Sequence, residues 1–303
     1  MAGELLTSAS LTSASLTNAS LTSALVTNAL VTDAPLAHQR WAPLAGAVDQ
    51  ADATRPPVLL LHGVGGGRQA WGDGLAGTGA ALAAAGFTVL AVDFPGYGLS
   101  AAITPYHLAG LADAVQRLIT HLGLGAATLL GHSLGGMVAL ELAARWPSSV
   151  AGLVLASTSP AFGHPGGDWQ QGFLQSRFAP LDAGLGMAGL AAPLVALMVA
   201  PGAAAATVAA AQALMAGVPE TTYRSALAAL VAFDRRAALP HITVPTLVIT
   251  GEHDHTAAPE VARRMAERIP GARLVTVPDA GHLLPIEQPA AFNAALLAFL
   301  QPG

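Results

Sequence analysis

One stretch, residues 126–138 with the sequence AATLLGHSLGGMV, constrains the fold of this chain more than any other. Its first half is an apolar run that predicts a buried strand, and apolar residues recur with helical spacing from Leu134 to Pro147. Between the two lies the pentad Gly-His-Ser-Leu-Gly, residues 131–135. Its glycines would permit a turn tight enough to strain the backbone of Ser133 and to raise its hydroxyl above a sheet. The stretch therefore predicts a strand–turn–helix unit with an exposed serine.

Predicted strands and helices alternate on both sides of this unit. The strands are short apolar runs, and the helices between them carry apolar residues at helical spacing. This pattern is typical of a mostly parallel sheet covered by helices on both faces. We therefore predict an α/β fold, with strands at residues 38–44, 57–62, 87–92, 128–131, 150–156, 246–250 and 273–277 and helices at 75–85, 108–122, 134–145, 259–268 and 289–300.

The alternation stops at Ser157. Residues 160–240 are rich in Ala, Leu and Met, contain several prolines and show no strand pattern. They predict a helical cap inserted after the strand at 150–156. The sheet domain would then comprise residues 38–159 and 241–303.

The uncharged stretch 183–219 is long enough to raise the question of a membrane span, which needs about 20 apolar residues. Pro193 and the pair Pro201-Gly202 interrupt it. Because proline disrupts a helix interior, we expect short apolar helices here and no membrane span.

Residues 1–37 are a low-complexity segment in which a unit of five, first Leu-Thr-Ser-Ala-Ser, recurs six times over residues 6–35. A period of five gives no single apolar face on a helix or a strand. Six units are also too few for a stacked solenoid. We expect a disordered tail without a function of its own.

Composition excludes several functions. The chain has a net charge of −5 and only 10% charged residues, so nucleic acid is not an expected partner. It has no cysteine, which excludes disulfides and thiolate metal sites. The first Lys or Arg is Arg40, and a secretory signal needs such residues before its apolar core. We expect a cytoplasmic location, and the sequence leaves the oligomeric state open.

Two further segments with reactive side chains follow predicted strands. Gly-Glu-His-Asp-His occupies residues 251–255, and Asp-Ala-Gly-His occupies residues 279–282. The carboxyl ends of parallel strands meet at one edge of a sheet, where α/β proteins place their sites. Ser133, Asp254 and His282 thus occur in the order nucleophile, acid and base at the same edge.

From about residue 56 onward the sequence resembles the α/β-hydrolase superfamily in its capped form, and among its members small esterases and enol-lactone hydrolases. The resemblance is carried by five ordered motifs: HGVGG at 62–66, DFPGYGLS at 93–100, the pentad at 131–135, GEHD at 251–254 and GH at 281–282. One departure is that the two strands which precede His-Gly in the family are hard to find here, so we expect a reduced sheet edge.

The resemblance implies a role for each motif residue. Ser133 would attack a carbonyl carbon, His282 would take and return the proton, and Asp254 would orient His282. The backbone N–H groups of Val64 and Leu134 would form the oxyanion hole.

Other residues near these motifs are competing candidates. Glu252 and Asp234 are alternatives to Asp254 as the acid. His253 and His255 form a His-x-His pair, but without a supported third ligand we expect solvated loop histidines. We predict neither a metal nor an organic cofactor. Candidates to line the pocket, each equally compatible with ordinary core, are Trp71, Trp169, Phe173, Phe178 and Met187.

The expected activity is hydrolysis of a small or medium, largely apolar carboxylic ester or lactone through an acyl-serine intermediate, because an apolar cap predicts an apolar pocket. Ser133 argues against epoxide hydrolases and haloalkane dehalogenases, whose relatives have aspartate at this position. Three alternatives stay open: a carbon–carbon bond hydrolase, a cofactor-free perhydrolase, and a small-molecule receptor with little turnover.

Overall fold

In this computed structural model, residues 26–43, 55–72, 77–163 and 167–301 are described. The strands are β1 (Val26–Val31), β2 (His38–Pro43), β3 (Val58–Leu61), β4 (Val89–Val92), β5 (Ala127–His132), β6 (Val150–Ala156), β7 (Thr246–Gly251) and β8 (Arg273–Val277). The helices are α1 (Thr78–Ala84), α2 (Leu108–His121), α3 (Leu134–Arg145), α4 (Asp168–Asp182), α5 (Gly186–Met198), α6 (Ala205–Ala216), α7 (Glu220–Val231), α8 (Pro259–Arg268), α9 (Leu284–Glu287) and α10 (Pro289–Leu300).

The eight strands form one sheet in the order β1-β2-β4-β3-β5-β6-β7-β8. Strands β3 to β8 are parallel, and β2 is antiparallel to both β1 and β4. The predicted α/β fold with a mostly parallel sheet is confirmed. Strand β5, which leads into the pentad, lies between β3 and β6. The three segments that follow β5, β7 and β8 all leave the same edge of the sheet.

The sheet is buried on both faces. In β3, Leu59 and Leu61 pack into the apolar layer formed with α2, α3 and α8, whereas Val58 and Leu60 pack into the opposite layer with α1 and α10. All four side chains are fully buried, and each stabilises the fold by about 1.5–3 kcal/mol relative to exposure. Burial on both faces explains why this strand is a continuous apolar run.

Several helix ends are determined by local sequence. Proline is the first residue of α8 and of α10, where its missing N–H would have no partner in the helix anyway. Helix α2 begins after His107, whose Nδ1 accepts a 2.8 Å hydrogen bond from the N–H of Gly110. The bounds of α3, α8 and α10 are those that the sequence predicts.

Helices α4 to α7 lie between β6 and β7 in the chain and form the cap. The chain leaves and re-enters the sheet domain at one place, because Arg235 N–H donates to the carbonyl oxygen of Pro160 at 2.7 Å and Ala161 pairs with Asp234. The buried carboxylate of Glu141 on α3 forms an ion pair with Arg235, whose Nε lies 2.6 Å from Oε2 of Glu141. This neck joins the two domains.

The prediction that Pro193 breaks the apolar stretch is wrong. Helix α5 continues through Pro193 and ends at Met198, before Pro201. Proline removes one hydrogen bond, while Leu190, Leu194 and Val195 on the same helix are buried and hold it in place. No helix in the described part of the chain is both long and apolar enough to cross a membrane.

The boundary of the predicted tail at residue 37 is also wrong. Residues 26–31 form β1, which pairs along its whole length with β2, so both strands before the His-Gly motif are present and the sheet edge is not reduced. Residues 1–25 lie outside the described residues.

Candidate active site

Ser133 lies in the turn between β5 and α3 with an unusual backbone conformation. Its φ is +52° and its ψ is −117°, a strained combination that typically costs about 1–3 kcal/mol. A Cβ at Gly131 would overlap the carbonyl oxygen of Gly135, and a Cβ at Gly135 would overlap that of Leu61. Thr158 restrains the turn further, since its Oγ1 donates a 2.6 Å hydrogen bond to the carbonyl oxygen of Ser133. Both glycines are therefore required by the close approach of β3, β5 and α3.

Ser133, His282 and Asp254 form a row of hydrogen bonds. His282 Nε2 lies 3.0 Å from Ser133 Oγ, and His282 Nδ1 lies 3.0 and 3.1 Å from the carboxylate oxygens of Asp254. Because a carboxylate only accepts, the proton of His282 is on Nδ1, and Nε2 is left to accept from the serine hydroxyl. His282 is 3% exposed and Asp254 is 1% exposed, so bulk water does not compete for these bonds.

Asp254 is also held by main-chain donors. Its Oδ1 accepts hydrogen bonds from the N–H groups of Thr256 and Ala257, both at 2.8 Å. Burial alone would raise the pKa of Asp254, but the neighbouring His282 and the hydrogen bonds lower the pKa below its ordinary value. The carboxyl group is therefore ionised and suited to stabilise a positive charge on His282.

The two alternative acids lie elsewhere. Asp234 is paired with Arg236 at 2.5 Å at the neck of the cap. Glu252 is exposed, and its carboxylate accepts from the N–H of Asp279 at 3.3 Å. Among the described residues, Asp254 is the one carboxylate that is hydrogen-bonded to His282.

The N–H groups of Val64 and Leu134 have no hydrogen-bond acceptor among the described residues. Leu134 is the first residue of α3, so its N–H is an unpaired donor at a helix N-terminus. The loop before Val64 is shaped by His62, which donates from Nδ1 to the carbonyl oxygen of Gly63 at 2.8 Å and accepts from Phe94 N–H at 3.1 Å. Burial lowers the pKa of His62 to about 4, so the ring is neutral.

Two contacts that the sequence did not predict hold the main chain of His282. Its N–H donates to the carbonyl oxygen of Met198 in the cap, and its carbonyl oxygen accepts from Nε2 of His132, both at 2.7 Å. Burial lowers the pKa of His132 to about 3. The position of His132 in the pentad was a signal for such a role, whereas a main-chain contact such as that of Met198 leaves no signal in the sequence.

An apolar cavity of about 60 Å³ lies in front of Ser133 and His282. No Asp, Glu, Lys or Arg side chain lines it among the described residues. Met215 on α6 narrows the cavity. Its methyl group packs so close to Gly65 that a Cβ at Gly65 would lie 2.6 Å from this methyl group. Side chains from the cap, the loop after β3 and the segment after β8 form its wall, among them Trp71, Val195, Met198, Leu214, Met215 and Ile286.

The other aromatic candidates do not line this cavity. Trp169 is 63% exposed and packs with Phe162 and Phe173 on α4 and the segment before it. Phe178 and Met187 pack in the large apolar cluster that the cap shares with one face of the sheet. Of the five candidates, Trp71 alone is part of the wall.

His253 and His255 do not come together as a pair of ligands. His253, Glu252 and Asp279 have potential ligand atoms within 4.8 Å of one another at the surface, and His255 is not part of this group. The two carboxylates are exposed, and His253 is about one-third exposed. The group is separate from the row formed by Ser133, His282 and Asp254.

The chain is similar to several known proteins over most of its length. The chain is 34% identical over 249 residues to a Variovorax paradoxus protein named as a proposed carbamate hydrolase, RutD, covering 80% of this chain and 91% of that protein. It is 31% identical over 267 residues to a pimeloyl-[acyl-carrier protein] methyl ester esterase of Nitrosospira multiformis, covering 80% and 94%. The crystal structure of an enol-lactonase from Burkholderia xenovorans LB400 superposes with a TM-score of 0.74 at 26% identity, covering 90% and 99%.

The family comparison covers most of the sheet domain and the whole cap. The sequence profile of the α/β hydrolase fold matches residues 56–289, which include every motif that carries the resemblance. The chain therefore belongs to the α/β hydrolase fold family.

Proposed function

We propose that this protein is a serine hydrolase that cleaves a small, largely apolar carboxylic ester or lactone through an acyl-serine intermediate. The observation that carries the proposal is the row of hydrogen bonds from Asp254 through His282 to Ser133, which ends at an apolar cavity. A serine hydroxyl is a weak nucleophile unless an adjacent base removes its proton, and an oriented histidine is such a base.

In the first half of the reaction, Ser133 Oγ forms a bond to the carbonyl carbon while His282 Nε2 takes the hydroxyl proton. His282 then gives this proton to the leaving alcohol oxygen as the ester bond breaks, which leaves Ser133 acylated. In the second half, a water molecule attacks the acyl carbon while His282 Nε2 takes its proton, and His282 then returns this proton to Ser133 Oγ as the acyl–oxygen bond breaks and the acid is released. Asp254 accepts from Nδ1–H throughout and stabilises the imidazolium.

The oxyanion that forms at the carbonyl oxygen needs donors that are already in place. Val64 lies in the loop after β3 and Leu134 directly follows Ser133, and the N–H groups of both lack an acceptor among the described residues, which supports this role for them. Each such donor typically contributes about 3 kcal/mol of transition-state stabilisation. Every step uses side chains or main-chain groups of this chain, so a chelator is expected to leave turnover unchanged.

The cavity favours a short, uncharged acyl group. The cavity is small, about 60 Å³, and no Asp, Glu, Lys or Arg side chain among the described residues lines it, so an ionised substrate would find no countercharge there. The names of relatives cover a methyl ester and an enol-lactone, which are both acyl-transfer substrates.

The proposal is tested by hydrolysis of p-nitrophenyl esters from acetate to octanoate, together with simple lactones and a p-nitrophenyl carbamate. We expect multiple turnovers with the fastest rates on acetate to butyrate. S133A should reduce turnover to the background rate, whereas S148A, which removes an exposed hydroxyl after α3, should not change it. Saturable binding without turnover in the wild type would support a receptor instead.

A further inference from the structure

The carboxylate of Glu287 accepts three main-chain hydrogen bonds around His282. Its Oε2 accepts from the N–H of Ala200 at 2.7 Å and from the N–H of Gly281 at 3.0 Å. Its Oε1 accepts from the N–H of Leu283 at 2.9 Å. Gly281 and Leu283 are the residues on either side of His282, whereas Ala200 belongs to the cap.

The segment around Ala200 and the segment around His282 touch closely. The N–H of His282 donates to the carbonyl oxygen of Met198 at 2.7 Å. A Cβ at Gly281 would overlap this same carbonyl oxygen, so only glycine allows the approach. The end of α5 and the segment after β8 are thus joined by one direct hydrogen bond and by the carboxylate of Glu287.

A carboxylate suits this position better than any other side chain. Two N–H groups, from Ala200 and Gly281, point at one oxygen, and a third from Leu283 points at the other. Hydrogen bonds to an ionised acceptor are stronger than those between neutral groups. The amide of E287Q offers one accepting oxygen only, and the side chain of E287A offers none.

We propose that Glu287 is a positioning residue for His282 and that, through it, the cap segment after α5 supports the catalytic base. The proposal rests on the proposed function, in which His282 is that base. Glu287 does not line the cavity and acts through the main chain on both sides of His282. A displacement of the base by about 1 Å is enough to slow catalysis by roughly a hundredfold.

This role differs from a purely structural one in what it changes. If Glu287 positions His282, its loss lowers kcat for each folded active site, with KM changed much less, because the cavity wall remains. If Glu287 contributes only to stability, its loss lowers the melting temperature while kcat for each folded site is unchanged.

The test compares the wild type with E287Q, E287A and the control E267Q, which neutralises an exposed carboxylate on α8 that is paired with Arg263. Rates are expressed per Ser133 titrated with a fluorophosphonate, so that unfolded protein does not count. We expect kcat to fall about 10- to 100-fold in E287A and by less in E287Q, with KM within about threefold of the wild type. E267Q should match the wild type. Because E287Q retains one accepting oxygen, the same kinetic comparison can be made with E287Q alone if E287A does not fold.

Two readouts do not depend on turnover. Amide hydrogen exchange at Ala200, Gly281 and Leu283 should be faster in E287Q than in the wild type and unchanged in E267Q. The low-field proton signal of His282 Nδ1–H, shared with Asp254, should broaden or shift in E287Q. Wild-type kcat per titrated site in both variants, or unchanged exchange at all three amides, would overturn the proposal. Absence of turnover and of Ser133 labelling in the wild type would instead overturn the proposed function, and the exchange and proton measurements would still decide whether Glu287 supports His282.

Discussion

The imidazole of His132 donates from Nε2 to the main-chain carbonyl oxygen of His282 at 2.7 Å, which joins the residue before Ser133 to the histidine that is hydrogen-bonded to Ser133. A carbonyl oxygen only accepts, so Nε2 of His132 carries its proton. The ring is almost entirely buried, and burial lowers its pKa to about 3. His132 is therefore a neutral hydrogen-bond donor in the folded protein near neutral pH.

This burial predicts a loss of stability in acid. The unfolded chain binds protons at His132 and His62 below pH 6.5, whereas the folded protein, with pKa values of about 3 and about 4, does not. The free energy of unfolding should therefore fall as the pH decreases from 6.5, by roughly 2 kcal/mol for each ring at pH 5. Urea unfolding at pH 7 and pH 5 measures this difference. The buried His38, whose pKa burial also lowers, adds to it in the same direction.

The matched variant for this measurement is H132Q, which keeps an N–H donor near the position of Nε2 and removes the titrating ring. We expect the loss of stability between pH 7 and pH 5 to be smaller in H132Q by about 2 kcal/mol. An equal loss in both proteins would show that His132 is not neutral in the folded state in the way that its burial implies.

Gly135 should not tolerate a side chain. A Cβ at this position overlaps the carbonyl oxygen of Leu61, and both atoms belong to buried main chain that cannot move aside. We expect G135A to lower the free energy of unfolding by about 3 kcal/mol or more. The control is G172A on α4, which is exposed with open space around it and should raise stability by about 0.5–1 kcal/mol. Thermal unfolding of both variants measures this, and equal effects would contradict the close packing at the serine turn.

Met215 should limit the length of the acyl chain. Its side chain lies against Gly65 beside the loop that carries Val64, and M215A would remove three heavy atoms from the cavity wall. We expect the preferred p-nitrophenyl ester to become longer by about two to three carbons, with stability lower by about 2–5 kcal/mol. L197A on α5, where the leucine is 69% exposed, is the control and should leave the preference unchanged. A preference that does not move in M215A would place the acyl group elsewhere.

The ion pair between Arg235 and Glu141 at the neck of the cap should contribute more to the free energy of unfolding than the adjacent ion pair between Arg236 and Asp234. Glu141 is 2% exposed and is paired with Arg235 at 2.6 Å, whereas the adjacent pair of Arg236 and Asp234 is exposed. R235A would leave a buried carboxylate with only Arg145 at 3.9 Å, and we expect it to lower the free energy of unfolding by about 2–3 kcal/mol. R236A should lower it by less than about 1 kcal/mol.

A second variant shows whether the buried charge is the cause. Combining R235A with E141Q removes the unpaired charge, so the double variant should recover part of the stability that R235A loses. Chemical unfolding of the wild type, R235A, E141Q and the double variant gives the coupling free energy between Arg235 and Glu141. A double variant that is less stable than R235A would contradict this explanation.

The sequence predicted most of the sheet because parallel strands buried on both faces are continuous apolar runs, as in β3 and β7. It predicted the bounds of α3, α8 and α10 because the serine turn and prolines mark them. It did not predict β1, which lies in the repeat segment where the period of five indicates no apolar face, or the continuity of α5 through Pro193, which depends on burial of Leu190, Leu194 and Val195. In both segments contacts with other parts of the chain decide the structure, namely the pairing of β1 with β2 and the burial of one face of α5.

At the site, the motifs indicated which side chains would gather at one sheet edge, and the structure brings Ser133, His282 and Asp254 within hydrogen-bond distance. The hydrogen bonds that Glu287 and Met198 make around His282 were not predictable, because they involve main-chain groups, and those of Ala200 and Met198 belong to the cap. The short α9 that ends at Glu287 was also missed, since four residues carry no periodic pattern.

The most direct test of the central claim, that Ser133 is the nucleophile activated by His282, is covalent labelling with a fluorophosphonate followed by mass spectrometry of the digested protein. We predict one adduct per chain on Ser133, formed at comparable rates in the wild type and in S148A, strongly slowed in H282A and absent in S133A. The rate of hydrolysis of the short p-nitrophenyl esters should fall in proportion to the fraction of chains that carry the adduct. A wild-type protein that hydrolyses these esters but carries no adduct on Ser133, or a labelled protein that retains its full activity, would contradict the acyl-serine mechanism.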